Sequence, residues 1–297
     1  MHGIINVYKE KGFTSHDVVA KLRGILREKK IGHTGTLDPE AEGVLPVCIG
    51  KATKVVPFLT DCDKCYEAEV ILGATTTTED ATGEIVETFD INVTSSQIEE
   101  VVQQFVGQYT QIPPMYSAIK VNGVRLYELA RKGIEVERPS REVQIYSCDI
   151  IEPLENNKFK IRVKCSKGTY IRTLCTDIGK KLGCGAHMGY LLRTQVGNYY
   201  LDNSLKLSQI EQQKNNIFPY LQSIEDVFFE YPKLTVKNEA SKSLYNGNPL
   251  NCSDIVEDNQ NLNFARIYDT QKNFIGIYKQ KENLWVVEKI FFDTTSK

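Results

Sequence analysis

Eight consecutive residues, Lys158 to Cys165, alternate without a break. Phe159, Ile161, Val163 and Cys165 fall on one side, and Lys158, Lys160, Arg162 and Lys164 on the other. Strict period two marks a β-strand with one buried face, because successive side chains point to opposite faces of a sheet. The chain must therefore build a sheet with a core on one side and a row of cations on the other. Two accounts of the cations stay open at this point. They form a solvated face whose lysines guard an edge, or a surface for a nucleic-acid backbone, whose charge would offset their mutual repulsion.

The rest of the pattern is mixed. GIINVYK reads as a strand, and SHDVVAKLRGILREKK repeats Val18, Val19, Leu22, Ile25 and Leu26 at helical spacing. Tyr66 to Leu72 is a strand stopped by Gly73, with Ile85 to Thr88 as its hairpin partner. A helix opens at Ser96 with the box Ser-x-x-Glu99, RLYELARKG is a short helix closed by Gly133, and residues 171–182 form a helix ended by Gly183. Strands and helices are interspersed without regular alternation, which predicts an α+β fold with a mainly antiparallel, mixed sheet. From Lys233 the texture changes to short strand-like runs separated by Asn, Asp and Gly. We expect a first domain over 1–230 and a small all-β domain over 233–297, divided near Tyr231-Pro232.

Composition excludes more than it selects. With 297 residues, 41% apolar and 25% charged, the chain is neither disordered, collagen-like nor a coiled coil. It carries no apolar run long enough to span a bilayer and no leader-like start, so a soluble, unexported, cytoplasmic protein without membrane contact is expected. Its eight cysteines are expected as free thiols. The only close pair, Cys62 and Cys65, lacks the second pair a zinc site wants, so no metal is expected. The net charge of -2 conceals strong segregation: by count, residues 156–200 carry +8 and residues 61–114 carry -10. A polyanion would respond to the first of these segments.

The common cofactor motifs fail. Before Gly50-Lys51, Leu45 stands where a phosphate loop needs glycine, and Met188 occupies the third glycine position of a dinucleotide fingerprint after Gly183-Cys184-Gly185. No cofactor is expected. What remains is the run from Gly32 to Pro46, with three glycines, two prolines, His33 and three carboxylates including Asp38. It is either a turn-rich connector capped by Asp38 or a loop that carries function. A second run, Lys167 to Arg172, interrupts the junction of the basic strand and the following helix, as a plain turn or as an anion-facing helix start.

Together these runs resemble one family, the bacterial tRNA pseudouridine synthases of the B-type, or TruB. The resemblance rests on GHTGTLDPEAEGVLPVCIGKATK, KCYEAEVILGATTTTEDATGEI, QIPPMYSAIKVNGVRLYELARKGIEV and CSKGTYIRTLCTDIGKKLGCGAH, in that order over residues 32–187, and more loosely on YNGNPL at 245–250. It implies the pseudouridine synthase fold with a small PUA-like RNA-binding domain, acting as a monomer on the T arm of tRNA. The reaction implied is isomerisation of uridine 55 to pseudouridine with base flipping. Asp38 matches the catalytic aspartate, as nucleophile or base. Arg172 matches an arginine that pairs with it, lowering its pKa and fixing its rotamer. Tyr66 matches the tyrosine that stacks on the target base. His33, Tyr170 and Leu191 match pocket residues around the flipped nucleotide, and Lys9, Lys160 and Arg162 are expected to contact the RNA. Two positions depart from the pattern: Glu10 replaces a proline after Lys9, and Leu192-Arg193 replaces a paired arginine. A competing reading is a tRNA-binding or tRNA-folding protein with incidental catalysis.

Overall fold

A computed structural model of the chain describes residues 1–292. The first part runs β1 (Gly3–Lys9), α1 (Ser15–Leu26), β2 (Ile31–His33), β3 (Glu42–Ile49), α2 (Val56–Thr60), β4 (Lys64–Leu72), β5 (Ala74–Thr76), β6 (Ile85–Thr88), α3 (Ser95–Gln103) and β7 (Gly107–Gln111). A small insertion follows, with β8 (Lys120–Val121), β9 (Val124–Arg125) and α4 (Leu126–Ala130). The chain then forms β10 (Arg141–Glu155), β11 (Lys158–Cys165), α5 (Ile171–Leu182), β12 (Ala186–Val196), β13 (Tyr199–Tyr200) and α6 (Leu207–Gln212). Beyond these lie β14 (Lys233–Thr235), α7 (Ser241–Tyr245), β15 (Leu250–Asn251), β16 (Phe264–Tyr268), β17 (Phe274–Lys281) and β18 (Leu284–Ile290).

Nine strands make one sheet in the order β1-β3-β12-β4-β11-β10-β7, with β2 joined to β3 and β13 to β12. Only β12 with β3 is parallel, so the fold is α+β with a mainly antiparallel, mixed sheet. The alternating strand β11 lies inside this sheet. Its apolar residues Phe159, Ile161, Val163 and Cys165 are at most 2% exposed, and they share a core with Ile98 and Val102 of α3 and Leu174 and Ile178 of α5. The i, i+4 spacing on both helices supplies the apolar stripe that covers the sheet.

Two local expectations are corrected. The cap of α3 is Thr94, which accepts from the Gln97 amide while Gln97 accepts from the Thr94 amide, not Ser96 with Glu99. Both pairs have the box spacing, and the Thr94 frame is the one that turns Ile98 and Val102 inward. Strand β6 pairs with β5 rather than with β4. Both edges of β4 are already taken, by β11 and β12.

The final strands form a curled five-stranded sheet, β14-β16-β17-β18-β15, around the fully buried Trp285, in keeping with the small PUA-like unit the sequence predicts, although α7 makes it β-rich rather than all-β; residues 293–297 lie outside the described residues. This sheet is seated on the large one. Ile277 and Phe291 pack with Phe228, Tyr199, Val44 and Ile4 in one apolar cluster, and Lys54 Nζ donates to the Ile290 carbonyl at 3.0 Å.

The parallel contact of β3 with β12 pairs Arg193 with Gly43. Gly43 has φ +106, and a Cβ there would lie 2.2 Å from the Arg193 carbonyl oxygen. Gly43→Ala is expected to destabilise the protein by about 1–3 kcal/mol or more, read as a lower midpoint in urea denaturation followed by circular dichroism. An unchanged midpoint would mean the strands do not approach this closely.

Candidate active site

The segment between β2 and β3 is pinned at almost every residue. Leu37 N donates to Ser15 Oγ at the start of α1 at 2.9 Å. The Pro39 carbonyl accepts from Gly12 N at 2.9 Å and from Lys9 Nζ at 3.1 Å, and Lys9 Nζ also reaches the Ala41 carbonyl at 2.6 Å. Arg193 donates to the carbonyls of Gly35, at 3.1 Å, and Val44, at 2.7 Å, one on each side of Asp38. Leu37 and Ala41 anchor the loop in the core. Between them the Asp38 side chain keeps 38% of its surface open, so the pinned loop presents a partly exposed carboxylate.

Arg172, in the first turn of α5, meets it there. The side chain is only 6% exposed, and its Nε lies 3.0 Å from Asp38 Oδ2. The same group donates to the carbonyls of Thr78 at 3.2 Å and Tyr116 at 2.9 Å, and stands 4.0 Å from Asp80 Oδ2. Four partners on three separate segments satisfy one guanidinium, which fits its planar, multi-donor geometry. Asp80 is fixed by its own turn, accepting from Thr78 Oγ1 at 2.7 Å and Thr82 N at 2.9 Å. Beside it Glu79 holds φ +63, a left-handed conformation uncommon outside glycine, and accepts from Thr173 Oγ1 at 2.7 Å.

Arg172 acts on the Asp38 carboxyl in the expected direction, but burial outweighs it. Loss of hydration pushes the Asp38 carboxyl above the usual carboxylate range; Arg172 and Lys9 oppose this rise, while Asp80 adds to it. The arginine therefore limits an upward shift rather than producing a downward one. The rotamer-fixing part of the expectation agrees with the 3.0 Å contact.

Tyr66 on β4 is 9% exposed and packs in one cluster with Leu37, Ala41 and Leu191. Burial raises its phenol pKa, and the Arg193 charge opposes the rise. His33 Nδ1 accepts from Gly35 N at 3.3 Å at the start of the loop, and burial, then Arg193, lowers the ring pKa. That leaves a neutral imidazole at neutral pH. Tyr170 caps α5 through its backbone, which exchanges hydrogen bonds with the Gln111 amide, and its ring lies under the Arg141 guanidinium at 5.4 Å.

The three residues expected to contact RNA differ in placement. Lys9 has no exposed surface; its ammonium holds the carbonyls of Glu10, Pro39 and Ala41, and burial lowers its pKa to about 8. It props the Asp38 loop from below. Lys160 and Arg162 do face outward, but Lys160 pairs with Glu152 at 2.8 Å and Arg162 with Glu67 at 2.8 Å, while Lys158 meets Glu69 at 3.3 Å. Neighbouring strands thus answer the repulsion along β11 with carboxylates. Asp80 and Glu79 received no role from sequence, although the Thr78-x-Asp80-x-Thr82 turn was visible. Arg193 entered only as a departure from a family pattern.

All eight cysteines are free. Among the described residues no cluster of His, Cys, Asp and Glu could hold a metal ion, and no helix is long and apolar enough to cross a membrane.

A carboxylate on a pinned loop, held by a buried arginine and flanked by an aromatic residue, inside a mixed sheet with a β-rich appendage, defines a pseudouridine synthase architecture. Solved structures agree. The chain matches the solved Cbf5-Nop10-Gar1 complex at TM-score 0.75 with 28% identity, over 99% of this chain and 86% of that one. It matches an H/ACA RNP bound to a substrate RNA containing 2'-deoxyuridine at TM-score 0.72 with 26% identity, over 98% and 85%. Residues 23–171 match the TruB family pseudouridylate synthase (N terminal domain), and residues 172–227 match the tRNA pseudouridylate synthase B C-terminal domain. The tRNA pseudouridine synthase B of Lachnoclostridium phytofermentans is 52% identical over 98% of this chain and all of its own length, and that of Listeria welshimeri is 46% identical over 98% of both. The chain belongs to the TruB family of pseudouridine synthases.

Removing the guanidinium should let the Asp38 carboxyl rise further. In Arg172→Met, a carbon-detected NMR titration of labelled aspartate should give Asp38 a higher pKa than in the wild type. An equal or lower value would mean that the pair contributes nothing to its ionisation.

Proposed function

We propose that this protein isomerises uridine 55 in the T loop of tRNA to pseudouridine, with Asp38 as the reacting carboxylate. The observation that carries the reading is the Asp38–Arg172 pair, in a chain whose close relatives are named tRNA pseudouridine synthase B. In the reaction the N1–C1′ bond breaks, a C5–C1′ bond forms, the hydrogen on C5 leaves as a proton, and the released N1 takes up a proton. Atoms and electrons balance without an external oxidant or reductant. An ionised carboxylate serves as nucleophile or base in such a step, and a rigid backbone delivers it without reorganisation.

A uridine stacked within a folded loop cannot present its glycosidic bond to a pinned, partly buried carboxylate, so the nucleotide must turn out of the stack. Tyr66 offers the ring against which the base rests, and stacking of this kind is worth about 1–3 kcal/mol per base. Leu191 supplies an apolar wall and Tyr170 a second ring, while the neutral His33 fills space left by the turned-out base. Residues 1–230 carry the chemistry in this reading, and residues 233–297 add RNA contacts. Asp38, Arg172 and Tyr66 come from one chain, so a monomer suffices, acting on the cytoplasmic tRNA pool.

Asp38→Asn keeps the shape and removes the charge. Pseudouridine formation in a T-arm stem-loop should fall by about 100-fold or more, with the Kd for the RNA changed only a few-fold. Retained turnover would remove Asp38 from the chemistry. Equal tRNA-folding activity in both proteins, with no turnover in either, would favour the RNA-folding reading.

The ion-paired face of β11 gives a separate expectation. Replacing both Lys160 and Arg162 with Ala should leave the salt dependence of tRNA binding unchanged, because their charges are already answered by Glu152 and Glu67. A slope reduced by about 1 per residue would instead show that the pairs open onto phosphates.

A further inference from the structure

Arg193 is 1% exposed; it donates to the main-chain carbonyls of Val44 and Gly35 and hydrogen-bonds the Tyr66 phenol. An apolar side chain of similar size usually stabilises a core as well or better, so stability alone is a poor reason to bury a cation there. Its position offers another. On β12 it stands where the strand lies between two different partners: parallel to β3 beside Gly43, and antiparallel to β4 directly opposite Tyr66. Directly opposed residues on antiparallel strands project their side chains to the same face. The guanidinium therefore shares a face with the Tyr66 phenol while it grips Gly35 and Val44, the two sides of the Asp38 loop.

We propose that Arg193 is a positioning residue for the isomerisation, one guanidinium that holds the Asp38 loop and the Tyr66 ring in a single frame. The inference rests on the roles given above to Asp38 and Tyr66. Its rigid planar fork fixes the direction of both bonds at once, a geometry that the rotatable ammonium of a lysine at the same position does not reproduce. Without it, the carboxylate and the platform for the base would each keep a rigid strand behind them but lose their common reference.

The test is a double-mutant cycle on single-turnover rates with a T-arm stem-loop, using wild type, Arg193→Lys, Tyr66→Phe and the double variant, with Kd and thermal melting measured alongside. Arg193→Lys should melt as a folded protein and bind RNA within a few-fold of wild type, yet turn over about 100-fold more slowly. Tyr66→Phe should slow the wild type clearly and the Arg193→Lys protein hardly at all, because the two changes break the same link. A wild-type rate in Arg193→Lys, or losses that multiply, would overturn the proposal. Should Arg193→Lys fail to fold, NMR of the Arg193 side-chain N–H signals decides. They should exchange slowly with solvent and shift in Tyr66→Phe, whereas fast exchange or unshifted signals would overturn it. If wild type itself binds the RNA without turnover, the parent reading fails and this one with it; wild-type activity with uncoupled variants removes this one alone.

Discussion

Asp38 and Arg172 lie far apart in the chain and meet at 3.0 Å, and much of the surrounding structure serves to make that contact unavoidable. Arg172 is almost wholly buried, so its charge must be met by well-placed acceptors, and a missing acceptor would be costly. The acceptors come from the Asp38 loop, the Thr78–Thr82 turn and the carbonyl of Tyr116. One cation thus orders three segments that have little else in common. The first turn of α5 can present it because Ile171, Leu174, Cys175 and Ile178 seat the helix on the sheet, leaving the arginine at its amino end.

Around this contact the molecule keeps several charges in low-dielectric surroundings. Burial raises the Asp38 and Glu79 carboxyls and lowers the pKa of Lys9 and His33. Burial is the leading cause in each case; neighbouring charges mostly oppose it at Asp38, Glu79 and Lys9, and reinforce it at His33. Titratable groups displaced from their ordinary range by burial and by specific partners cluster where chemistry occurs. Lys9 and Arg193 turn the same cost to structural use, spending their hydrogen bonds on carbonyls of the Asp38 loop.

Much of this was legible in the chain. The alternation from Lys158 to Cys165 set a one-faced strand, and the helix over 171–182 ended at Gly183 as its sequence says, with φ +72. The run around Asp38 declared itself by its density of Gly, Pro and carboxylates. Pairing was not legible. Glu67 and Glu69 sit on a strand nearly a hundred residues before Arg162 and Lys160, and only the register of β4 with β11 brings them alongside. The row of cations on β11 therefore read equally as a solvated face or as an RNA surface. Lys9 misled in a similar way: a lysine at a strand end reads as exposed, and only the three-dimensional loop supplies the carbonyls that draw it inward. Arg193 carries no local signal at all, since its partners lie on β3, on the loop before it and on β4. The strand that holds it, with Gly189 near its start, follows no single period.

The central claim is that the Asp38 site rearranges one uridine. Tritium release from a T-arm stem-loop labelled at C5 of uridine 55 reports it directly, because C5 must lose its hydrogen to become the glycosidic carbon. The account predicts release with the wild-type protein, and none beyond background when cytidine replaces that single uridine and the label sits on the remaining uridines. Tight binding of the labelled RNA without release, or equal release from the cytidine control, would contradict it.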